Sequence, residues 1–139
     1  MEKRVWQRVL GAQEAAPEPE QKQLLLDAME MAAAYGYLLK NTGEKTRALL
    51  RQLLEGEEAN IACLKGIARL RRQELQGKVL PPPKEPARKI LEKCYHRSRR
   101  ASIAFMAQSV GGEFGEVYRS MANREGQHCL WLAQLMGML

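Results

Sequence analysis

The sequence has few cysteines and none of them are paired. Cys63, Cys94 and Cys129 are odd in number, lie far apart and form no CxxC unit. That spacing leaves no basis for a disulfide framework, a thiolate zinc site or a rubredoxin-like iron centre, so buried free thiols are expected. Long apolar runs are missing too. None approaches the roughly 20 residues that a membrane-spanning helix requires, and the opening MEKRVWQRVLGAQ lacks the continuous apolar core of a secretory signal. No membrane association is expected, and the expected setting is the cytoplasm. Aromatic residues are sparse, with only two Phe among 139 residues, and no stretch alternates in the two-residue rhythm of a half-buried strand. There is no internal repeat at the periods that mark solenoids.

What is present is the balance of a globular helical domain, 45% hydrophobic and 27% charged. The net charge of +6 is carried by Arg and Lys along the chain, with clusters at Arg69, Arg71 and Arg72 and at Arg97, Arg99 and Arg100. On a helical protein such clusters usually form a solvated face, and nucleic-acid binding is the minority alternative.

The chain divides at its breakers. Residues 1–16 carry Val5, Trp6, Val9 and Leu10 at helical spacing and read as a short N-terminal helix ending near Pro17 and Pro19. Residues 18–139 read as one all-α bundle. A first long helix begins just after Pro19 and runs to Lys40. Asn41, Thr42 and Gly43 stop it, and a second helix covers about 44–75. So short a break makes these two antiparallel neighbours. The segment GKVLPPPKEP cannot continue a helix, and its ten residues span about 30 Å at 3.1 to 3.4 Å each, enough to run back along a bundle. A third helix follows from about 85 to 110. Gly111 and Gly112 close it, and a fourth runs from about 113 to the C-terminus. Two antiparallel hairpins joined by one Pro-rich crossover have the connectivity of ferritin-like bundles.

On the fourth helix, positions 114, 118, 121, 125, 128, 132, 135 and 139 alternate in steps of three and four and read Phe, Tyr, Met, Glu, His, Leu, Leu, Leu. An acid and a histidine therefore interrupt an apolar seam, and burying them costs several kcal/mol unless each is paired. Their Glu-x-x-His spacing puts carboxylate and imidazole on one helix face. Glu30 lies 12 residues before Thr42, and Glu55, Glu57 and Glu58 lie 13 to 16 after it. At 1.5 Å per residue, these acids reach about the level that Tyr95 to Ser98 and the Glu-x-x-His pair reach from the other hairpin.

Over about residues 20 to 138 the chain resembles the ferritin-like, rubrerythrin-type family of short bacterial proteins. AMEMAAAYGYLL, EEANIACLKGI, CYHRSRR and FGEVYRSMANREGQHC carry the resemblance. It implies a four-helix bundle with a site for two iron or manganese ions and a redox or peroxidase activity. It also implies the ligands Glu30, Glu58, Glu125 and His128. The sequence departs from the pattern where Ile61 stands for the second imidazole and where Tyr95 and Ser98 stand at the level of a third-helix carboxylate, the nearest acid there being Glu92.

Two of about six protein ligands are thus missing, and three outcomes stay open. In the first there is no metal, and Tyr37 or Tyr118 and the carboxylates satisfy His128 in a buried hydrogen-bonded network. Alternatively, Glu30, Glu58, Glu125 and His128 hold one Fe, Mn or Zn ion. In the third, Glu92 or Glu57 substitutes for the missing groups to give a working two-metal centre served by an external electron donor. The leading expectation is a ferritin-like protein with an incomplete metal site and a non-catalytic binding or structural role. A rubrerythrin-like Fe/Mn oxidoreductase is the first alternative and a small basic nucleic-acid-binding protein the second. Trp6, Trp131, Met136 and Met138 add apolar surface that could pair the bundle as a homodimer.

Overall fold

The computed structural model describes residues 18–75, 78–82 and 84–139. The expected N-terminal helix at 1–16 lies outside the described residues. Four helices account for most of the described chain: α1 (Glu18–Asn41), α2 (Glu44–Leu70), α3 (Ala87–Gln108) and α4 (Gly115–Met138). No strand occurs among the described residues, as the missing two-residue alternation implies.

The ends of these helices follow from local chemistry. At the close of α1, Asn41 Nδ2 donates to the Tyr37 carbonyl at 2.8 Å and Thr42 Oγ1 to the Leu38 carbonyl at 2.7 Å, adding side-chain donors to the end of the helix. Gly43 caps α2 in extended backbone. α2 stops at Leu70, five residues before the expected 75. The Gln73 N–H turns back to the Ala68 carbonyl (2.8 Å) and the Arg72 N–H to the Arg69 carbonyl (3.2 Å). This is a Schellman closure, with Arg72 at φ 54° in the left-handed position that glycine usually fills. Arg71 secures the stop: its guanidinium lies over the Phe114 ring, 5.1 Å from the centroid, and donates to Tyr118 Oη at 3.2 Å. Between α3 and α4 the chain turns through Gly111 and Gly112, at φ 74° and 90°, where a Cβ would be strained.

Two apolar clusters fix how the helices run. One joins Met31, Tyr35 and Leu38 of α1 to Leu50 and Leu53 of α2, Ile90 and Leu91 of α3, and Leu132 and Leu135 of α4. The other joins Leu24 and Leu25 to Leu64 and Ile67, Ala101 and Phe105, and Tyr118 and Met121. The C-terminal ends of α1 and α4 therefore meet the N-terminal ends of α2 and α3. α2 and α3 start at the same end, so the connection between them returns along the length of the bundle. It does so over α1 and α3, where Leu80, Pro81 and Pro82 face Ala34 and Ile90 across a cavity. α1 packs on α2 and α3, and α4 packs on α3 and α2, so every adjacent pair is antiparallel. No helix among the described residues is long and apolar enough to cross a membrane.

Candidate metal centre

Between the two apolar clusters lies a layer of polar side chains, all fully buried: Glu57 and Asn60 on α2, Ser98 on α3, and Glu125 and His128 on α4. Each belongs to its helix's inward seam. On α2 the buried positions Leu50, Leu53, Glu57, Asn60, Leu64 and Ile67, with Ala68 beside the last, follow the same alternation of three and four that runs along α4. Glu57 and Asn60 thus occupy on α2 the (i, i+3) places that Glu125 and His128 occupy on α4.

His128 lies at the centre. Its Nδ1 is 3.0 Å from Glu57 Oε2 and 3.3 Å from Glu125 Oε1. Glu125 receives the remaining bonds: Ser98 Oγ donates to Oε1 at 2.6 Å and Asn60 Nδ2 to Oε2 at 2.8 Å. Arg124 reaches in from the edge and donates to Asn60 Oδ1 at 2.5 Å, bringing a guanidinium beside the layer. The ring of His128 stacks on Trp131, with centroids 5.8 Å apart. Its other edge presses on α2 at Gly56, where a Cβ would collide with both Nε2 and Cε1. Only a residue without a side chain lets the imidazole sit so close to that helix.

The two acids are driven apart in protonation. Burial, and then the adjacent Glu125 carboxylate, push Glu57 well above the usual carboxylate range. Burial also works against ionising Glu125, but hydrogen bonds from His128, Glu57 and Ser98 outweigh it and hold Glu125 below that range. Of the two, Glu57 is the one that holds a proton to higher pH, and Glu125 the one that ionises first. Glu57 Oε1 and His128 Nε2 have no hydrogen-bond partner, and neither has the hydroxyl of the neighbouring Tyr35. Buried polar atoms without partners are rare enough to call for an explanation.

The donor atoms fit a cation. One ligand atom from each of Glu57, Glu125 and His128 lies within 4.8 Å of the others. Donor–metal bonds of about 2.0 to 2.2 Å place adjacent donors about 3.0 to 3.5 Å apart, and the two Nδ1 to carboxylate separations are 3.0 and 3.3 Å. Two carboxylates and an imidazole suit Fe, Mn or Zn by hardness. With both acids ionised, a divalent ion would balance their two negative charges.

The residues singled out in the sequence divide clearly. Glu125 and His128 meet in the layer and Glu57 joins them. Glu58, the next residue on α2, is exposed. Glu30 pairs with Arg97 at 3.0 Å and Glu92 with Arg88 at 3.6 Å, both outside the layer. Asn60, Arg124 and Gly56 are additions that the structure makes. Extending the three-and-four seam to α2 would have picked out Glu57 and Asn60, but no sequence rhythm marks Gly56 or Arg124. No family model matches the chain, and neither does any curated protein or solved structure.

Gly56→Ala isolates the steric constraint. Alanine favours a helix interior over glycine by about 1 kcal/mol, yet here it displaces the imidazole. The variant should therefore be destabilised by about 1 to 3 kcal/mol in thermal or denaturant unfolding. Glu57→Gln tests the shared proton in chelator-treated protein. A carboxyl whose folded pKa is raised stabilises the fold at low pH, and that contribution is lost as pH rises toward the folded value. The glutamine side chain does not titrate, so from the ordinary carboxylate range up to the folded value of Glu57 the variant should gain on the parent as pH rises, by up to about 1.4 kcal/mol per pH unit. Parallel stability curves for the two proteins would contradict a proton held on Glu57.

Proposed function

We propose that this chain is a ferritin-like bundle whose role is to bind one divalent transition-metal ion, held by Glu57, Glu125 and His128, without catalysing a reaction. The observation that carries this is the convergence of His128 Nδ1 on two buried carboxylate oxygens at coordination-edge distances. The connectivity supports the ferritin-like part: two hairpins, a crossover that returns along the bundle, and (i, i+3) polar pairs at one level on α2 and α4.

One ion is favoured over two by what surrounds the trio. Asn60 stands where a second Glu-x-x-His would have its imidazole, and it spends its amide on Glu125 and its carbonyl on Arg124. Ser98 fills the third-helix position and donates to Glu125. A second cation would therefore meet a neutral amide, a hydroxyl and, just beyond, a guanidinium. The two buried carboxylates balance one divalent ion.

Binding is favoured over turnover by access. All three ligand side chains are fully buried, and none of them lines the cavity under the crossover, the basic groove on α3 or the hollow at the α3–α4 turn. A bound ion of this kind supplies Lewis acidity, and redox capacity if it is iron or manganese. Glu57 and Glu125 would balance its charge, Ser98 and Asn60 would hold the Glu125 carboxylate in place, and Trp131 with Gly56 would fix the imidazole plane. An Fe/Mn oxidoreductase with a rearranged ligand set is the alternative, and it would need an external electron donor.

Calorimetric titration of chelator-treated protein with Mn²⁺, Fe²⁺ and Zn²⁺ tests the assignment. One equivalent should bind, with protons released as Glu57 ionises and affinity rising with pH. At a free-metal concentration 100 times Kd the fold should gain about 2.7 kcal/mol. His128→Gln and Glu125→Gln should lose the site, while Glu58→Gln and Glu92→Gln should keep it. Failure of all three metals to bind the parent would reject the proposal and leave the trio as a proton-sharing structural network.

A further inference from the structure

The crossover between α2 and α3 does more than link the two hairpins, because a cavity of about 310 Å³ lies between it and the bundle. That is the small end of the roughly 300 to 1,000 Å³ range of ligand pockets. Leu80, Pro81 and Pro82 form the crossover wall, and Ala34, Ile90 and Cys94 form the helix wall. These surfaces are apolar, and the prolines hold their side without backbone donors of their own.

Three charged residues complete the lining: Lys93, Arg97 and Glu30. Arg97 Nη2 is 3.0 Å from Glu30 Oε2, and Lys93 Nζ is 2.6 Å from Glu85 Oε1. Each pairing uses only part of the cation's donors. A guanidinium has five N–H groups and an ammonium three, so both can still donate to a further acceptor. The adjoining surface reinforces this sign of charge, because Lys93 and Arg97 also line a shallow groove with His96, Arg99 and Arg100. Along α3, six Arg and Lys face a single acid, Glu92.

We propose that this cavity binds a small molecule with an apolar body and a carboxylate head, the body lying between the crossover and α1 and α3, the head at Lys93 and Arg97. Glu30 and Glu85 each engage one of the two cations, so the excess positive charge that draws an anion comes from Arg99 and Arg100 of the adjoining groove. An ammonium head would meet only Glu30 and Glu85, which Arg97 and Lys93 already engage. Burial pushes the Cys94 thiol up to about 12, so it stays protonated and the ligand is held reversibly. Nothing in this assignment depends on the metal centre.

Octanoate, octylammonium and octanol, each below its micelle concentration, are the probes, titrated into the full chain and followed by NMR. Octanoate should bind saturably at one site, at least tenfold tighter than either other head group, and shift the amides of Ala34, Ile90 and Cys94. A Lys93→Gln, Arg97→Gln double variant with unchanged thermal unfolding should lose tenfold or more in octanoate affinity. Equal affinity for the three head groups would overturn the proposal, as would no saturable binding or shifts confined to other residues. Association only with phosphatidylglycerol vesicles would also overturn it and assign the basic face of α3 to a lipid surface. If the double variant does not fold, the head-group comparison on the parent decides alone.

Discussion

Two carboxylates and an imidazole are buried together at the mid-height of an apolar bundle, and the rest of the interior is arranged around the cost of keeping them there. An unpaired ion in such a place costs several kcal/mol, a large part of the whole stability of a domain of this size. Glu57, Glu125 and His128 are all fully buried, so solvent contributes nothing to them. Each helix that touches the layer answers with a specific residue. α3 offers Ser98 to one oxygen of Glu125, α2 offers Asn60 to the other, and α2 gives up a side chain at Gly56 to admit the ring. The apolar clusters above and below hold the four helices in the register that these contacts require.

Two carboxylates buried side by side leave the layer short of positive charge. A proton on Glu57 leaves a single carboxylate bonded by Ser98, Asn60 and His128, with Glu57 Oε1 unpartnered. In the proposed function a divalent ion would take the place of that proton between the same three side chains. The separations of 3.0 and 3.3 Å suit both a hydrogen bond and a coordination edge. Arg124 adds positive charge through Asn60 on one side of the layer only. That asymmetry distinguishes this centre from a symmetrical two-ion site.

Much of this was legible in the sequence because it is written in periodicity and breakers. The four helices and the turn at Asn41 to Gly43 follow from capping residues, and the return crossover follows from three consecutive prolines. The Glu125 and His128 pair stood out because an acid and an imidazole interrupt an apolar seam. On α2 two adjacent acids, Glu57 and Glu58, compete for the inward position, and only the seam through Leu53, Asn60 and Leu64 decides between them. The stop at Leu70 was less legible, since Arg72 takes a left-handed position without being glycine. Gly56 and Arg124 are long-range features: each matters because of a residue far away in the chain, and no local pattern encodes that.

The most direct test is X-ray absorption at the metal edge of protein loaded with one equivalent of zinc or manganese. The account predicts a first shell of oxygen and nitrogen at about 2.0 to 2.2 Å with the scattering pattern of one imidazole, and no metal–metal vector at about 3.5 to 4 Å. That pattern should be absent in His128→Gln. A metal–metal vector in the parent, or a first shell without imidazole, would contradict a single ion held by Glu57, Glu125 and His128.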